Sequence, residues 1–430
     1  MEQKKGNLLA IDSLLDELYS YSMHGIKLGL ENIQRLCKQL GNPQNKYKII
    51  HVAGTNGKGS TSTTVEAILL EAGYTVGKYT SPHILQFNER IRADGMDISD
   101  EEIASYYNIV KIAIEEIDLK PTFFEVTTAI MFKYFADKKL DYVVLETGMG
   151  GRFDATNITS AEVAVITNVD LEHTEYLGNT IYDIAKEKAG IIKNCKNIVV
   201  GSDNQEFLKA INEGRTKDSK LINVIEKYKN IDYQLDFDKF ITKIFLNGVD
   251  YEFSLFGDYQ VNNFLCAYET AKILKINDSI IKKAAKKVKW QCRFEKITID
   301  EQRVILDGAH NLNGVKTLVN TLQKAYKPDE IVVITSILKD KDIKSMISEL
   351  EKISDNIVLT SIPNNPRGLK GSELLEFSKD AKKNIVTEDN ILKAYDCALS
   401  YGKKLILICG SFYLLGLFKE VLSSQRGEQL

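Results

Sequence analysis

Residues 54 to 60 read Gly54-Thr55-Asn56-Gly57-Lys58-Gly59-Ser60, with a lysine and a hydroxyl flanking one glycine. This combination suits phosphate chemistry. Glycines let backbone amides turn toward an anion, and a following helix adds positive potential at its N-terminus. Lys58 can reach outer phosphates and Ser60 can ligate magnesium. The segment departs from the strict Walker form, because Val52 stands where the first glycine belongs and Gly59 separates the lysine from the hydroxyl residue. A plain glycine-rich turn is the competing reading, and the lysine and hydroxyl in register favour nucleotide binding.

Three more residues carry usable chemistry. Glu146 closes the apolar run that starts at Asp141, and His173 follows the run Ala161 to Asn168, so both are expected beyond carboxyl ends of strands. Ligands bind there in open α/β sheets. A carboxylate and hydroxyls suit magnesium, whereas an imidazole is unusual in such a shell, and spacing alone makes His173 a surface or capping residue. Lys188, within Lys186-Glu187-Lys188, reads as a solvated helix residue paired with neighbouring glutamates.

The elements that must position these groups alternate strand and helix. Tyr47 to Ala53 is predicted as a strand, followed by the glycine loop and a helix from Ser60 to Ala72. Further strands are expected at Thr75–Tyr79, Asp141–Glu146, Ala161–Asn168 and Asn197–Gly201, as a mainly parallel sheet requires. Two alternating runs then flank Asn247-Gly248, a dipeptide suited to the positive φ angles of a type I′ turn, so a β-hairpin is expected over 240–255. Helices over 258–275 and 277–288 lead to the only tryptophan, Trp290. Strands near Val304–Leu306, Glu330–Thr335, Asn356–Thr360, Asn384–Thr387 and Lys404–Cys409 indicate a second α/β domain. The expected fold is therefore α/β: a P-loop domain with a mainly parallel sheet and a β-hairpin region over 1–295, then a smaller Rossmann-like α/β domain over 296–430.

Composition excludes several classes. The 430 residues exceed what one core usually serves, and 44% hydrophobic with 27% charged residues matches an ordinary globular chain. The 56 basic residues nearly cancel the 59 acidic ones, which leaves no broad field for nucleic acid or an anionic membrane. Cysteines 37, 195, 266, 292, 397 and 409 form no CxxC pair, so they read as reduced, mostly buried thiols. Neither a signal-peptide core nor a membrane-length apolar run is visible, and a cytoplasmic location is expected.

Taken in order, HVAGTNGKGS at 51–60, YTSPHILQFNERI at 79–91, LETGMGGRFDATN at 145–157, DLEHTEYLG at 170–178, EKAGIIK at 187–193, GDYQVNN at 257–263, WQCRFE at 290–295, DGAHN at 307–311 and GSFYLLG at 410–416 resemble folylpolyglutamate synthases. That family, with the bifunctional dihydrofolate synthases, belongs to the Mur ligase superfamily. The resemblance implies ATP-driven ligation of L-glutamate to a folate or dihydropteroate carboxylate through an acyl phosphate. It implies Mg2+ held by Ser60, Ser81, Glu146 and His173, with K+ as a candidate further cation and Lys188 carbamylated to support a metal. Lys58, Lys188 and His173 become the catalytic candidates.

For ATP the resemblance implies Thr55, Asn56, Gly57, Lys58, Gly59, Ser60, Asn263, Arg293, Asp307 and His310. Tyr259 departs from the family, which commonly has histidine there. For folate it implies Leu28, Gly29, Thr122, Phe123, Phe124, Arg152 and Asp154, although aromatic residues on a helical face are more often core. Only about 50 residues precede the loop, too few for an ordinary domain, which weighs against a UDP-sugar ligase. A monomer acting on small molecules is expected. The alternatives are another Mur-type amide ligase and a nucleotide-binding switch without ligation. An ATP-driven motor on nucleic acid lacks the basic stripe it would need.

Overall fold

The computed structural model describes residues 11, 13–21, 25, 29–378 and 383–426. The chain forms two compact units, the first comprising residues up to Ile231 and again Asn262–Val288, the second comprising Asp232–Val261 and Lys289–Leu430.

The first unit is built on β1 (Lys48–Ala53), β2 (Val76–Tyr79), β3 (Ile91–Ala93), β4 (Met96–Asp97), β5 (Tyr142–Glu146), β6 (Val163–Ile166), β7 (Asn197–Val200) and β8 (Lys220–Asn223). Among the described residues these form one sheet in the order β4-β3-β2-β5-β1-β6-β7-β8. Only the β2–β3 and β3–β4 pairings are antiparallel. β1 lies between β5 and β6, with Val52 opposite both Glu146 and Val165. These strands are apolar runs buried on both faces, the pattern a helix-covered parallel sheet demands. One face carries the core that includes Leu36, Tyr107, Phe132 and Phe135, and the other carries Ile184, Ile191, Phe207 and Ile211.

The second unit holds a three-stranded antiparallel sheet, β9 (Asp232–Asp236), β10 (Ile241–Leu246) and β11 (Val249–Phe253), in the order β11-β10-β9. Leu246 pairs with Val249, and Asn247 (φ 51°) with Gly248 (φ 75°) makes the expected two-residue turn. The hairpin was expected within residues 1–295, grouped with the first domain. A knot of aromatic rings explains why it belongs with the second unit: Phe256 lies 4.9 Å from Phe237, 5.1 Å from Phe240 and 4.8 Å from Phe294. The first unit ends at Val288, ahead of the expected boundary after Glu295.

The remaining strands are β12 (Glu295–Ile299), β13 (Gln302–Asp307), β14 (Ile331–Thr335), β15 (Asn356–Leu359), β16 (Asn384–Thr387) and β17 (Leu405–Cys409). They form a sheet in the order β12-β13-β17-β14-β15-β16, parallel except at β12–β13. Of the six cysteines, all but Cys397 are buried, and all are free thiols.

Candidate functional site

The helix Lys58–Glu71 starts directly from the glycine loop. Its run of Ser and Thr residues has modest helix propensity, and burial of nearly every position compensates. Three other helices of this unit begin with a side-chain cap, Ser99 accepting from Glu102 N, Thr122 from Glu125 N and Thr180 from Asp183 N, whereas Glu31–Gln39 and Thr174–Leu177 have none. The helix Lys58–Glu71 begins at Gly57 (φ 86°) with no side-chain cap. A helix N-terminus that carries no side-chain cap suits an anion best.

The loop is held from behind. Thr55 N donates to Asn168 O at 3.2 Å, Asn56 N to Asn168 Oδ1 at 2.9 Å, and Thr167 Oγ1 to Asn56 O at 2.6 Å. Thr55 Oγ1 receives Asp170 N at 3.0 Å. A Cβ at Gly57 would collide with Oδ1 of Asn263, so the glycine is required both by its φ and by this close approach. Asn263 thereby lies against the loop. Gly59 and Ser60 are buried at the helix start. Lys58 folds back, with Nζ 2.8 Å from Gly54 O and 3.1 Å from Thr55 O.

Sheet order brings the implied metal donors to one end. β2, β5, β1 and β6 are successive neighbours. Ser81 follows β2, Glu146 ends β5, Ser60 follows β1 and His173 follows β6. Glu146 is buried, His173 is exposed, and His173 heads the short helix Thr174–Leu177 in a left-handed conformation (φ 47°). Such a φ is uncommon for a non-glycine residue and recurs at functional sites. Among the described residues no group of three or more His, Cys, Asp and Glu side chains is gathered as a metal cage. The donor set of Glu146 with the Ser60 and Ser81 hydroxyls nonetheless has the hard oxygen chemistry that magnesium takes, a cation that keeps several waters of its own.

Lys188 is not the solvated residue that its neighbours in sequence suggest. It is fully buried, and its Nζ lies 2.8 Å from Glu172 Oε1. Burial raises the Glu172 carboxyl, but Lys188 and Lys58 outweigh it and the group falls to about 2. Burial, reinforced by Lys58, holds the Lys188 ammonium below the ordinary lysine range while Glu172 pulls the other way. Glu172 was missed as a functional candidate. Its place in DLEHTEYLG, beside His173, was the available signal.

The implied folate residues fall into different environments. Phe123 stacks on Tyr19 at 5.3 Å and lies under the Arg90 guanidinium at 5.4 Å. Phe124 packs against Tyr79 at 5.9 Å and covers Gly148, where a Cβ would come within 2.6 Å of its ring. Thr122 caps the helix Phe123–Asp137 in a reciprocal box with Glu125. Asp154 is buried, and its oxygens accept from Gly148 N, Met149 N, Thr156 N and Thr156 Oγ1 at 2.6–3.0 Å. Thr156 Oγ1 also meets His51 Nε2 at 2.8 Å. Asp154 thus ties the loop after β5 into the sheet.

Arg152 is part-exposed, 3.5 Å from Glu187 Oε1. Its loop lies flat on the helix Ile181–Ala189: a Cβ at Gly151 would meet Glu187 O at 2.8 Å, and one at Gly190 would meet Arg152 N at 2.8 Å. Gly29 is half-buried, and Leu28 lies outside the described residues.

Arg293, Asp307 and His310 belong to the second unit. Asp307 accepts from Phe294 N at 2.8 Å, Ala309 N at 2.9 Å and Tyr259 Oη at 3.3 Å. Burial pushes its carboxyl up, against the pull of Arg293 and the amides. Phe412 was another omission. The Arg293 guanidinium lies 4.5 Å over its ring and the His310 ring 5.1 Å from it. His310 Nδ1 donates to Gly308 O at 2.8 Å.

Comparisons with known proteins identify the family. The model of the Mur ligase middle domain matches residues 52–271, and that of the Mur ligase, glutamate ligase domain, matches 292–412. The dihydrofolate synthase/folylpolyglutamate synthase of Bacillus subtilis is 36% identical over 411 residues, spanning 91% of this chain and 94% of that protein. The structure of Escherichia coli FolC in complex with DHPP and ADP superposes with a TM-score of 0.85 at 29% identity, covering 97% of this chain and 98% of that one. The Yersinia pestis bifunctional folylpolyglutamate synthase/dihydrofolate synthase complexed with AMPPNP and Mn ion has a TM-score of 0.82 at 28% identity, covering 96% and 98%. With the phosphate loop, the two Mur ligase domains and likeness along almost its full length, the chain belongs to the folylpolyglutamate synthase/dihydrofolate synthase family of ATP-dependent ligases.

Proposed function

We propose that this chain activates the carboxylate of a reduced folate, and also of dihydropteroate, as an acyl phosphate with ATP and then joins it to the amine of L-glutamate, releasing ADP and phosphate. The observation that carries the reading is the side-chain-uncapped start of the helix Lys58–Glu71, set beside the carboxyl end of β5 where Glu146 stands. The relatives named above support the substrate classes.

In this reading the first-turn amides and Lys58 hold the phosphates. The Lys58 ammonium exchanges the Gly54 and Thr55 carbonyls for phosphate oxygens, which concentrates positive charge where the transferring phosphoryl group gains negative charge. Ser60, Ser81, Glu146 and His173 would hold Mg2+. When bound, a divalent cation offsets charge on that phosphoryl group. Burial of Lys188 on the single carboxylate of Glu172 supports its carbamylation, which would turn a cation into an anionic oxygen donor near the loop. K+ is the candidate second cation. Phe123, Phe124, Gly29 and Arg152 form the folate side, with Phe124 on Gly148 just beyond Glu146. Asp154 and Thr122 shape that side from within. The protein acts as a monomer in the cytoplasm, and among the described residues no helix is long and apolar enough to cross a membrane.

The test measures phosphate release with ATP, L-glutamate and either dihydropteroate or tetrahydrofolate, with products weighed by mass spectrometry. Each acid should gain one glutamate, and Glu146→Gln should nearly abolish turnover. Release stimulated by neither acid would shift the assignment to another Mur-type amide ligase. Nucleotide binding without glutamate-dependent release would indicate a switch.

A further inference from the structure

Lys78 is fully buried in the middle of β2, where an apolar residue would fill the same space. Its Nζ lies 2.7 Å from Glu66 Oε2 and 3.1 Å from Thr63 Oγ1. Both partners belong to the helix Lys58–Glu71, with Thr63 about one turn beyond Ser60 and Glu66 about one turn further. Glu66 is itself buried, and its Oε1 has no hydrogen-bond partner among the described residues. Opposite Lys78 in the sheet stands Arg92, which is paired with Asp97 at 2.8 Å. One buried ammonium therefore ties the phosphate-loop helix to the strand that runs directly into Ser81.

A buried ion pair is a poor source of net stability compared with apolar residues of the same volume. What it adds is direction. Apolar contacts tolerate sliding of a helix along a strand, while two polar contacts from one ammonium fix the helix in both azimuth and height. Sliding by one residue would carry Ser60 about 1.5 Å along the helix axis. Magnesium takes oxygens at about 2.0–2.1 Å in near-octahedral geometry and does not follow such a shift.

We propose that Lys78 and Glu66, with Thr63, are positioning residues that set the placement of Ser60 relative to Ser81, the two hydroxyls assigned above to the divalent cation. The inference rests on that assignment. Lys78 touches no substrate and acts through the helix.

The experiment compares Lys78→Met/Glu66→Leu with the wild-type enzyme, reading the half-saturating Mg2+ concentration at saturating ATP and folate, the KM for glutamate and the melting temperature. The double variant replaces the charged pair by apolar volume and should keep its melting temperature and its KM for glutamate. Its half-saturating Mg2+ should rise about tenfold, the scale seen when groups supporting a metal's ligands are lost. Thr63→Val keeps both charges and should shift the same quantity in the same direction by a smaller factor, whether or not the double variant folds. Wild-type Mg2+ dependence in either variant would overturn the proposal. Ser81→Ala separates the two levels of inference. If Ser81→Ala raises the Mg2+ requirement while the pair variants do not, only the positioning role fails; if Ser81→Ala leaves it unchanged, the assignment of the hydroxyls fails and the positioning role with it.

Discussion

At the carboxyl ends of β1, β5 and β6 the first unit leaves the start of a helix without a side-chain cap and sets Lys58 close enough to the Lys188–Glu172 pair to lower the pKa of both its members. At the carboxyl end of β13 the second unit does the opposite. Its next helix, Leu312–Leu322, is capped by Asn311, and Asp307 receives two backbone amides and a phenol. Beside it the half-buried Phe412 ring carries the Arg293 guanidinium over its face and the His310 ring tilted at 49° to it. The same sheet architecture thus ends in two different arrangements. One end pairs a helix start that has no side-chain cap with buried charge, while the other surrounds its carboxylate with donors and sets a guanidinium over an aromatic ring.

The strongest way to break this contrast is to remove charge from the first unit. Lys58→Ala should lower kcat by about 10²- to 10³-fold, the scale for losing one donor to a charge that develops in the transition state. A single-turnover assay checks it, and a variant within a few-fold of wild type would deny the loop its role.

Acid should act with opposite signs through two buried groups, His51 of the first unit and Asp307 of the second. Burial, with Lys193, holds His51 down at about 3, so between its unfolded value near 6.5 and that value the unfolded chain binds the extra proton. Stability is then complete above about pH 6.5 and falls as pH drops, by about 2 kcal/mol between pH 7 and pH 5. Asp307, pushed up by burial, costs stability while ionised and is relieved by acid. Urea unfolding of His51→Gln should show a shallower loss from pH 7 to pH 5, and an unchanged slope would count against a neutral buried His51.

The smallest effect belongs to the Arg293–Phe412 contact. Phe412→Ala should raise the KM for ATP about tenfold with kcat nearly kept, in line with about 1–2 kcal/mol for a desolvated cation–ring contact. A change in kcat instead would place Phe412 nearer to the chemistry than its stack suggests.

The buried parallel strands were legible as short apolar runs, and β1, β2, β5, β6, β7 and β13 to β17 fall within a few residues of the expected ranges. β9 was not legible, because Asp-Tyr-Gln-Leu-Asp carries polar residues at both ends and gains its strand only by pairing with β10. The phosphate loop could be read because its residues are contiguous. The burial of Lys188 could not, since it depends on Glu172 approaching from another segment, and a lysine among charged neighbours looks solvated. Asp154 was expected to face ligand; its four donors lie in backbone and hydroxyl groups that no spacing rule reveals. Thr122 carried a visible capping signal, with Glu125 three residues on, and the structure uses it as a cap.

The interlock of Gly151 and Gly190 has an evolutionary consequence. Each glycine leaves no room for a methyl group, because the backbone of the other's segment occupies that space. Neither position can drift alone: an alanine at either lifts the Arg152 loop from the helix that carries Lys188, and a second change at the partner position cannot restore contact, since both obstacles are main chain. Random mutagenesis under selection for activity should therefore leave these two sites unsubstituted while Gly73, Gly248 and Gly402, which face open space but have positive φ, accept asparagine.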